Sequence, residues 1–221
     1  MNVTLTPIEV RILGCLIEKE ANTPDVYPLT LNSLITACNQ KTSREPVMEL
    51  TSDELLPALD SLIDKTLVST WKSDHNRMVK YQHKLRHRVS DKFNFSLPEL
   101  ALLCVLFLRG PQTAVEIRTR CSRIHEFDDL NAVADVLKAL EDNPDGPYVT
   151  MLARQAGRKE SRYAHLFCGA PDEPAISGTR AEQGVSGGNS RVELLEREVS
   201  ELKSVLHALE QRFEAFKEQF D

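Results

Sequence analysis

The chain has 221 residues, of which 41% are apolar and 27% charged, with a net charge of −6. That length allows one large domain or two small ones, each with a core, and the composition is ordinary for a globular protein. It excludes a bilayer span, for which about 18 consecutive apolar residues are needed, a secretory signal at Met1-Asn2-Val3-Thr4, and any global charge drive toward nucleic acid or anionic lipid.

The predicted elements repeat along the chain. Thr6-Pro7-Ile8-Glu9 reads as a capping box with proline at the tolerated first helical position. Behind it Val10, Ile12, Leu13, Leu16 and Ile17 fall at helical spacing. A second helix is predicted from about Leu31 to Asn39. Thr51 to Glu54 caps a third, with Leu55, Leu56, Leu59, Leu62 and Ile63 on one side. Leu67 to Lys72 and Met78 to Leu85 then flank the turn Ser73-Asp74-His75-Asn76 as a β-hairpin. Ninety positions after the first cap, Ser96-Leu97-Pro98-Glu99 repeats it, followed by Leu100, Leu102, Leu103, Leu106 and Phe107. Thr113 and Glu116 cap a helix from Ala114 to Cys121, and Asp128 opens one carrying Leu130, Val133, Val136, Leu137 and Leu140. Tyr148 to Ala153 and Ser161 to Phe167 flank a turn containing Gly157.

Three short helices and a hairpin, written twice, give the winged-helix order of elements. The predicted fold class is mainly α with small β-hairpins (α+β): a first winged-helix domain over 1–90 and a second over 91–169. Residues 170–189 are rich in Gly, Pro, Ser, Ala and acids and read as a flexible linker. In residues 190–221, Val192, Leu195, Val199, Leu202, Leu206, Leu209, Phe213, Phe216 and Phe220 alternate steps of three and four. That heptad seam predicts a coiled-coil helix roughly 45 Å long. Its stripe needs a cover: a second copy of the chain, another protein, or the body of the same molecule. Homo-oligomerisation is favoured, because a strict seam is narrower than the face a helix turns to its own core.

Winged helices bind DNA by default, with the third helix in the major groove, and the charges argue against that default here. Asp53, Pro57, Asp60 and Asp64 form the stripe opposite the leucines of the first third helix, and Asp128, Asp135, Lys138 and Asp142 are outward on the second. Affinity in the groove comes mostly from neutralising phosphates, so acidic rods are poor readers. Positive charge gathers instead between Thr70 and Lys92, where Lys72, Arg77, Lys80, Lys84, Arg86, Arg88 and Lys92 interleave with Trp71, Tyr81, His83 and His87. The second wing adds Arg154, Arg158, Lys159 and Arg162, while Arg109, Arg118, Arg120 and Arg123 lie near the helix before it. Such wings suit a nucleic-acid backbone or an acidic protein surface; the bland reading is a solvated strand with Trp71 and Tyr81 on the core.

The polar loop Asn39-Gln40-Lys41-Thr42-Ser43-Arg44-Glu45-Pro46 is open to two readings, a recognition loop through Asn39, Gln40, Lys41 and Arg44 or a latch that caps the surrounding helices. No GxGxxG, GxxxxGK[ST], GxSxG or HExxH is present. Cys121, His125 and Cys168 lack the compact spacing of a zinc site, and Cys15, Cys38 and Cys104 fit small buried hydrophobes. Five scattered cysteines with no CxxC pair predict reduced thiols and a cytoplasmic protein. Glu18 and Glu20, with Lys19, read as solvated groups at a helix end. The expectation is a protein without enzyme activity, cofactor or metal.

The strings Leu13-Gly14-Cys15-Leu16-Ile17-Glu18-Lys19-Glu20, Thr23-Pro24-Asp25-Val26-Tyr27-Pro28-Leu29, Ala37-Cys38-Asn39-Gln40-Lys41 and Arg44-Glu45-Pro46-Val47 resemble the bacterial YceH family. So do Leu152-Ala153-Arg154-Gln155 and Arg162-Tyr163-Ala164-His165-Leu166, and the similarity covers about residues 4–168. The resemblance implies a tandem winged-helix fold and brings no functional residues. The expected function is macromolecule binding, DNA-associated or regulatory through basic wings with little sequence reading. The alternative is a protein-interaction scaffold that uses the acidic third helices and the coiled coil.

Overall fold

The computed structural model describes residues 3–73, 76–86, 93–154 and 160–170. The heptad residues Val192, Leu195, Val199, Leu202, Leu206, Leu209, Phe213, Phe216 and Phe220, and the predicted linker, lie outside them. All described residues belong to one compact unit, Met1–Ile176, distinct from a second unit, Ser177–Asp221.

The described fold is α+β, with six helices and two small antiparallel sheets among the described residues. Helix α1, Pro7–Asn22, starts where Thr6 Oγ1 accepts from the Glu9 amide and Glu9 answers through its carboxylate to the Thr6 amide. A 3-10 turn at Pro24–Val26 leads into β1, Leu29–Thr30, and Thr30 then caps α2, Leu31–Cys38. Helix α3 spans Ser52–Asp64 behind the Thr51/Glu54 capping box. It feeds the hairpin of β2, Val68–Ser73, and β3, Asn76–His83. The second half follows the same order: α4, Leu97–Arg109; α5, Ala114–Cys121; α6, Leu130–Glu141; β4, Val149–Met151; and β5, Tyr163–His165.

The repeat goes one element further than the sequence predicts. β1 pairs with β3, Leu29 opposite Tyr81, so the first sheet has the order β1-β3-β2. In the second half Gln112 makes the equivalent bridge to Tyr163, with both backbone hydrogen bonds formed at 3.0 and 2.8 Å. The first pairing runs into Thr30, which caps the next helix, and the second sits one residue before its counterpart Thr113.

Several expectations need correction. Leu56 and Leu130, assigned to apolar faces, are 38% and 42% exposed. A stripe of five residues is wider than the contact each helix makes, so its outer member meets water. Asp129, not Asp128, caps α6, because its carboxylate accepts the Ala132 amide at 2.8 Å. Strands β4 and β5 are shorter than their apolar runs suggest.

Helices α1 and α4 are the axis of the unit. Every residue from Glu9 to Ile17 is buried, as is every residue from Leu100 to Leu108. Helices buried on all sides are sandwiched between neighbours, and these two pack on each other. A Cβ on Gly14 would stand 2.8 Å from Leu108 Cδ2 and 3.1 Å from Phe107 Cβ, so the close approach requires glycine there. Chain length alone allows a separate small core in each half; the buried side chains instead form one continuous cluster that draws on both.

Candidate functional site

Register on the β2–β3 hairpin sorts the predicted basic cluster by face. Trp71 is directly opposite Lys80, whereas Lys72 is opposite Val79. Successive side chains alternate faces, so Lys80 and Lys72 point to opposite sides of the ribbon. On the outer side the Trp71 ring is 46% exposed with Lys80 Nζ 5.8 Å from its centroid, and Met78 is exposed beside them. That geometry is a cation–π contact. Trp71 is therefore not a core residue.

Tyr81 and His83 face inward and are buried. The His83 amide donates to Tyr27 Oη at 2.9 Å. Its ring Nδ1 accepts from the Leu85 amide, so the proton shared with Glu20 at 2.9 Å sits on Nε2. Glu20 is thus a partner of the hairpin rather than a solvated end group. Lys84 is half-buried, and its backbone amide donates to Leu67, while Arg86 is exposed. The side chain of Arg77 and all of Arg88, Arg158 and Lys159 lie outside the described residues.

In the second half Arg154 is exposed. Arg162 is a brace: Nη1 donates to the Pro111 carbonyl at 3.2 Å, and Nη2 lies 3.7 Å from Glu116. Arg118 similarly ties α5 to the following loop through the carbonyls of Phe127 and Asp128. The acidic stripes stand where the sequence places them, with Asp53, Pro57, Asp60 and Asp64 exposed on α3, and Asp135, Lys138 and Asp142 exposed on and just after α6.

The loop after α2 displays the geometry of a latch. Asn39 closes two hydrogen bonds with Leu50, its amide donating to the carbonyl and its oxygen accepting from the N–H, both at 2.8 Å. Arg44 is buried and forks onto Glu18 at 2.6 and 3.1 Å, with further bonds to Gln40 Oε1 and the Ala37 carbonyl. Burial alone would lower the Arg44 pKa, but the Glu18 carboxylate holds it above its ordinary value. Glu18, read from sequence as solvated, is half of this ion pair. Of the four loop residues, Lys41 alone is exposed.

Two buried polar groups, Glu9 and Arg11, and a half-buried one, His165, have surroundings that escape sequence reasoning. Glu9 receives Lys65 Nζ at 2.6 Å, which clamps the start of α1 to the end of α3. Arg11, 2% exposed, donates to the carbonyls of Cys38 and Pro46, and burial depresses its pKa. His165 is packed edge-on against Phe107, and burial lowers its pKa to about 4. The signal for Arg11 was available: Arg11, Cys15 and Glu18 are spaced i, i+4 and i+7, one stripe of a helix whose other faces are apolar. Cys15, Cys38, Cys104 and Cys121 are buried free thiols, and burial pushes Cys121 up to about 12. Among the described residues no group of three or more His, Cys, Asp or Glu is placed to hold a metal ion, and no helix is long and apolar enough to cross a membrane.

The family described as "Protein of unknown function, DUF480" matches residues 5–158. The UPF0502 protein YceH of Salmonella newport (strain SL254) is 46% identical over 95% of this chain and 97% of its own length. The YceH proteins of Salmonella heidelberg (strain SL476) and Salmonella agona (strain SL483) match at the same identity and coverage. By identity and by near end-to-end coverage, this chain belongs to the UPF0502 (YceH) family.

Proposed function

We propose that the protein is a non-catalytic macromolecule binder built from two winged-helix units, and that its first hairpin grips a DNA backbone without reading sequence. Support for the winged-helix assignment comes from the twice-repeated order of three helices and a hairpin, and from the pairing with the hairpin just before the second helix, a two-residue strand in the first half and a single bridge in the second. The observation that carries the functional reading is the outer face of that hairpin, where an exposed Trp71 lies under Lys80. An exposed aromatic beside a mobile cation can rest on sugar and base edges while the ammonium meets phosphate. The acidic outer faces of α3 and α6 keep those helices out of the groove, so affinity comes from the backbone and is steeply salt-dependent.

Trp71 is the only tryptophan in the chain, so its own fluorescence reports binding. Titration with random-sequence duplex DNA quenches that emission at about 50 mM salt and loses most of the effect by about 200 mM. Replacing Lys80, Lys84 and Arg86 by Glu abolishes the change. No response at the lower salt overturns the DNA reading.

The second reading is a protein-interaction scaffold, favoured by the exposed acidic stripes Asp53/Asp60/Asp64 and Asp135/Asp142. The heptad spacing over residues 190–221 supports self-association in either case. Light scattering on the intact chain and on one ending at residue 189 tests it; equal oligomeric states refute it.

A further inference from the structure

Arg109, Arg120 and Arg123 play no part in the reading above, yet they surround one recess. Its volume is about 230 Å³, and Glu18, Asn22, Ser43, Thr119 and Ser122 complete its polar lining. Arg109 ends α4, Arg120 lies in the last turn of α5, and Arg123 follows that helix, while Ser43 and Glu18 come from the first half. Cations near helix C-termini are favoured by the helix dipole, which accounts for a base at each end. It does not account for three converging on one cavity.

The carboxylate that lines the recess, Glu18, and the one bound to Arg120 outside it, Glu116, are already committed elsewhere. Glu18 is forked by Arg44 at 2.6 and 3.1 Å. Glu116 is shared between Arg120 and Arg162, each at 3.7 Å, longer than a hydrogen bond. Arg123 has no ion-pair partner among the described residues, and neither has Arg109, whose Nη2 donates to Ser43 Oγ at 2.6 Å. Burial first, then the like charges of Arg120 and Arg44, push the Arg109 pKa below its ordinary value. Accepting that bond leaves the Ser43 hydroxyl proton free to donate. Ser43 also has φ 62°, in the left-handed region that a serine rarely occupies. Strain of this kind concentrates at ligand-binding positions.

We propose that this recess binds a small phosphate-bearing molecule. Guanidiniums match phosphate oxygens with paired donors, and Arg109, Arg120, Arg123 and the Ser43 hydroxyl supply them from several directions. The volume accommodates a phosphate group and an organic body of a few carbons, and is smaller than the pockets that hold drug-sized ligands. Because its walls come from both halves, occupancy bridges Ser43 to α4 and α5.

Calorimetric titration of the full chain with inorganic phosphate and with ribose 5-phosphate, using ribose as control, tests this. Saturable binding of both phosphate compounds and none of ribose is expected, weakened about tenfold or more by Arg123→Gln. Arg123 is exposed and unpaired among the described residues, so its replacement leaves the fold intact even where Arg109→Gln unfolds it. Three results would overturn the proposal: no saturable binding up to about 10 mM, equal binding by Arg123→Gln, or displacement of bound phosphate by duplex DNA but not by ribose 5-phosphate. The last would make the recess a backbone contact.

Discussion

The two halves follow the same element order and are held together by different chemistry. In the first, the central helix carries charge into the interior: Glu9 meets Lys65, Glu18 meets Arg44, and Arg11 is buried against backbone carbonyls. In the second, the central helix is apolar from Leu100 to Leu108, and Phe93, Phe95, Phe107, Tyr148 and Phe167 form an aromatic cluster with centroids 4.9 to 6.5 Å apart. A single topology thus tolerates two interiors. Buried charge pairs add little net stability and are costly to break, whereas apolar packing is stabilising in proportion to area. The first half therefore adds buried charge to its apolar core, where the second adds aromatic rings.

That contrast can be broken in order of effect. Phe167→Ala, which empties the centre of the aromatic cluster, is expected to cost about 4 kcal/mol, read from the shift in urea midpoint. Arg44→Met strands the Glu18 carboxylate and is expected to cost about 3 kcal/mol. The double variant Glu18→Gln/Arg44→Met should recover part of that loss; no recovery would show that the guanidinium acts through its other bonds. Gly14→Ala forces α1 and α4 apart against Leu108 and is expected to cost about 2 kcal/mol, although the site lies within apolar surroundings.

The smaller effects are pH-dependent and fall in separate windows. His165 has a folded pKa of about 4 against an ordinary 6.5, so the unfolded chain binds the proton first. Stability is then intact above about pH 6.5 and falls as pH drops toward 4, by about 2 kcal/mol at pH 5. His165→Phe should flatten this part of the profile. Burial alone would raise the Glu9 pKa, but bonds from Lys65, the Thr6 amide and Ser61 outweigh it and lower it. Its contribution is present above the ordinary carboxylate range and lost only as pH falls below it. Glu9→Gln should remove that lower slope and leave the His165 slope unchanged, as followed by thermal melts between about pH 3 and 8.

Features fixed by neighbouring residues were legible in the sequence. The boxes at Thr6, Thr51, Ser96 and Thr113 are side-chain-to-backbone contacts three residues apart, and each is present. The exposure of Asp53, Asp60 and Asp64 followed from helical period alone. β1 escaped because two residues carry no periodicity, and Trp71 was ambiguous because strand alternation does not say which face meets the body. Glu9 with Lys65 and Glu20 with His83 are 56 and 63 residues apart, so local spacing shows Glu9 only as a cap and Glu20 only as a solvated group. The arginine recess was invisible for the same reason: Arg109, Arg120 and Arg123 are near in sequence, but Ser43 reaches them only because α1 lies against α4.

The contact at Gly14 has a mechanical consequence. The two axial helices lie so close at Gly14 that an added methyl group would displace the Leu108 side chain, so moving one half against the other means repacking the core they share.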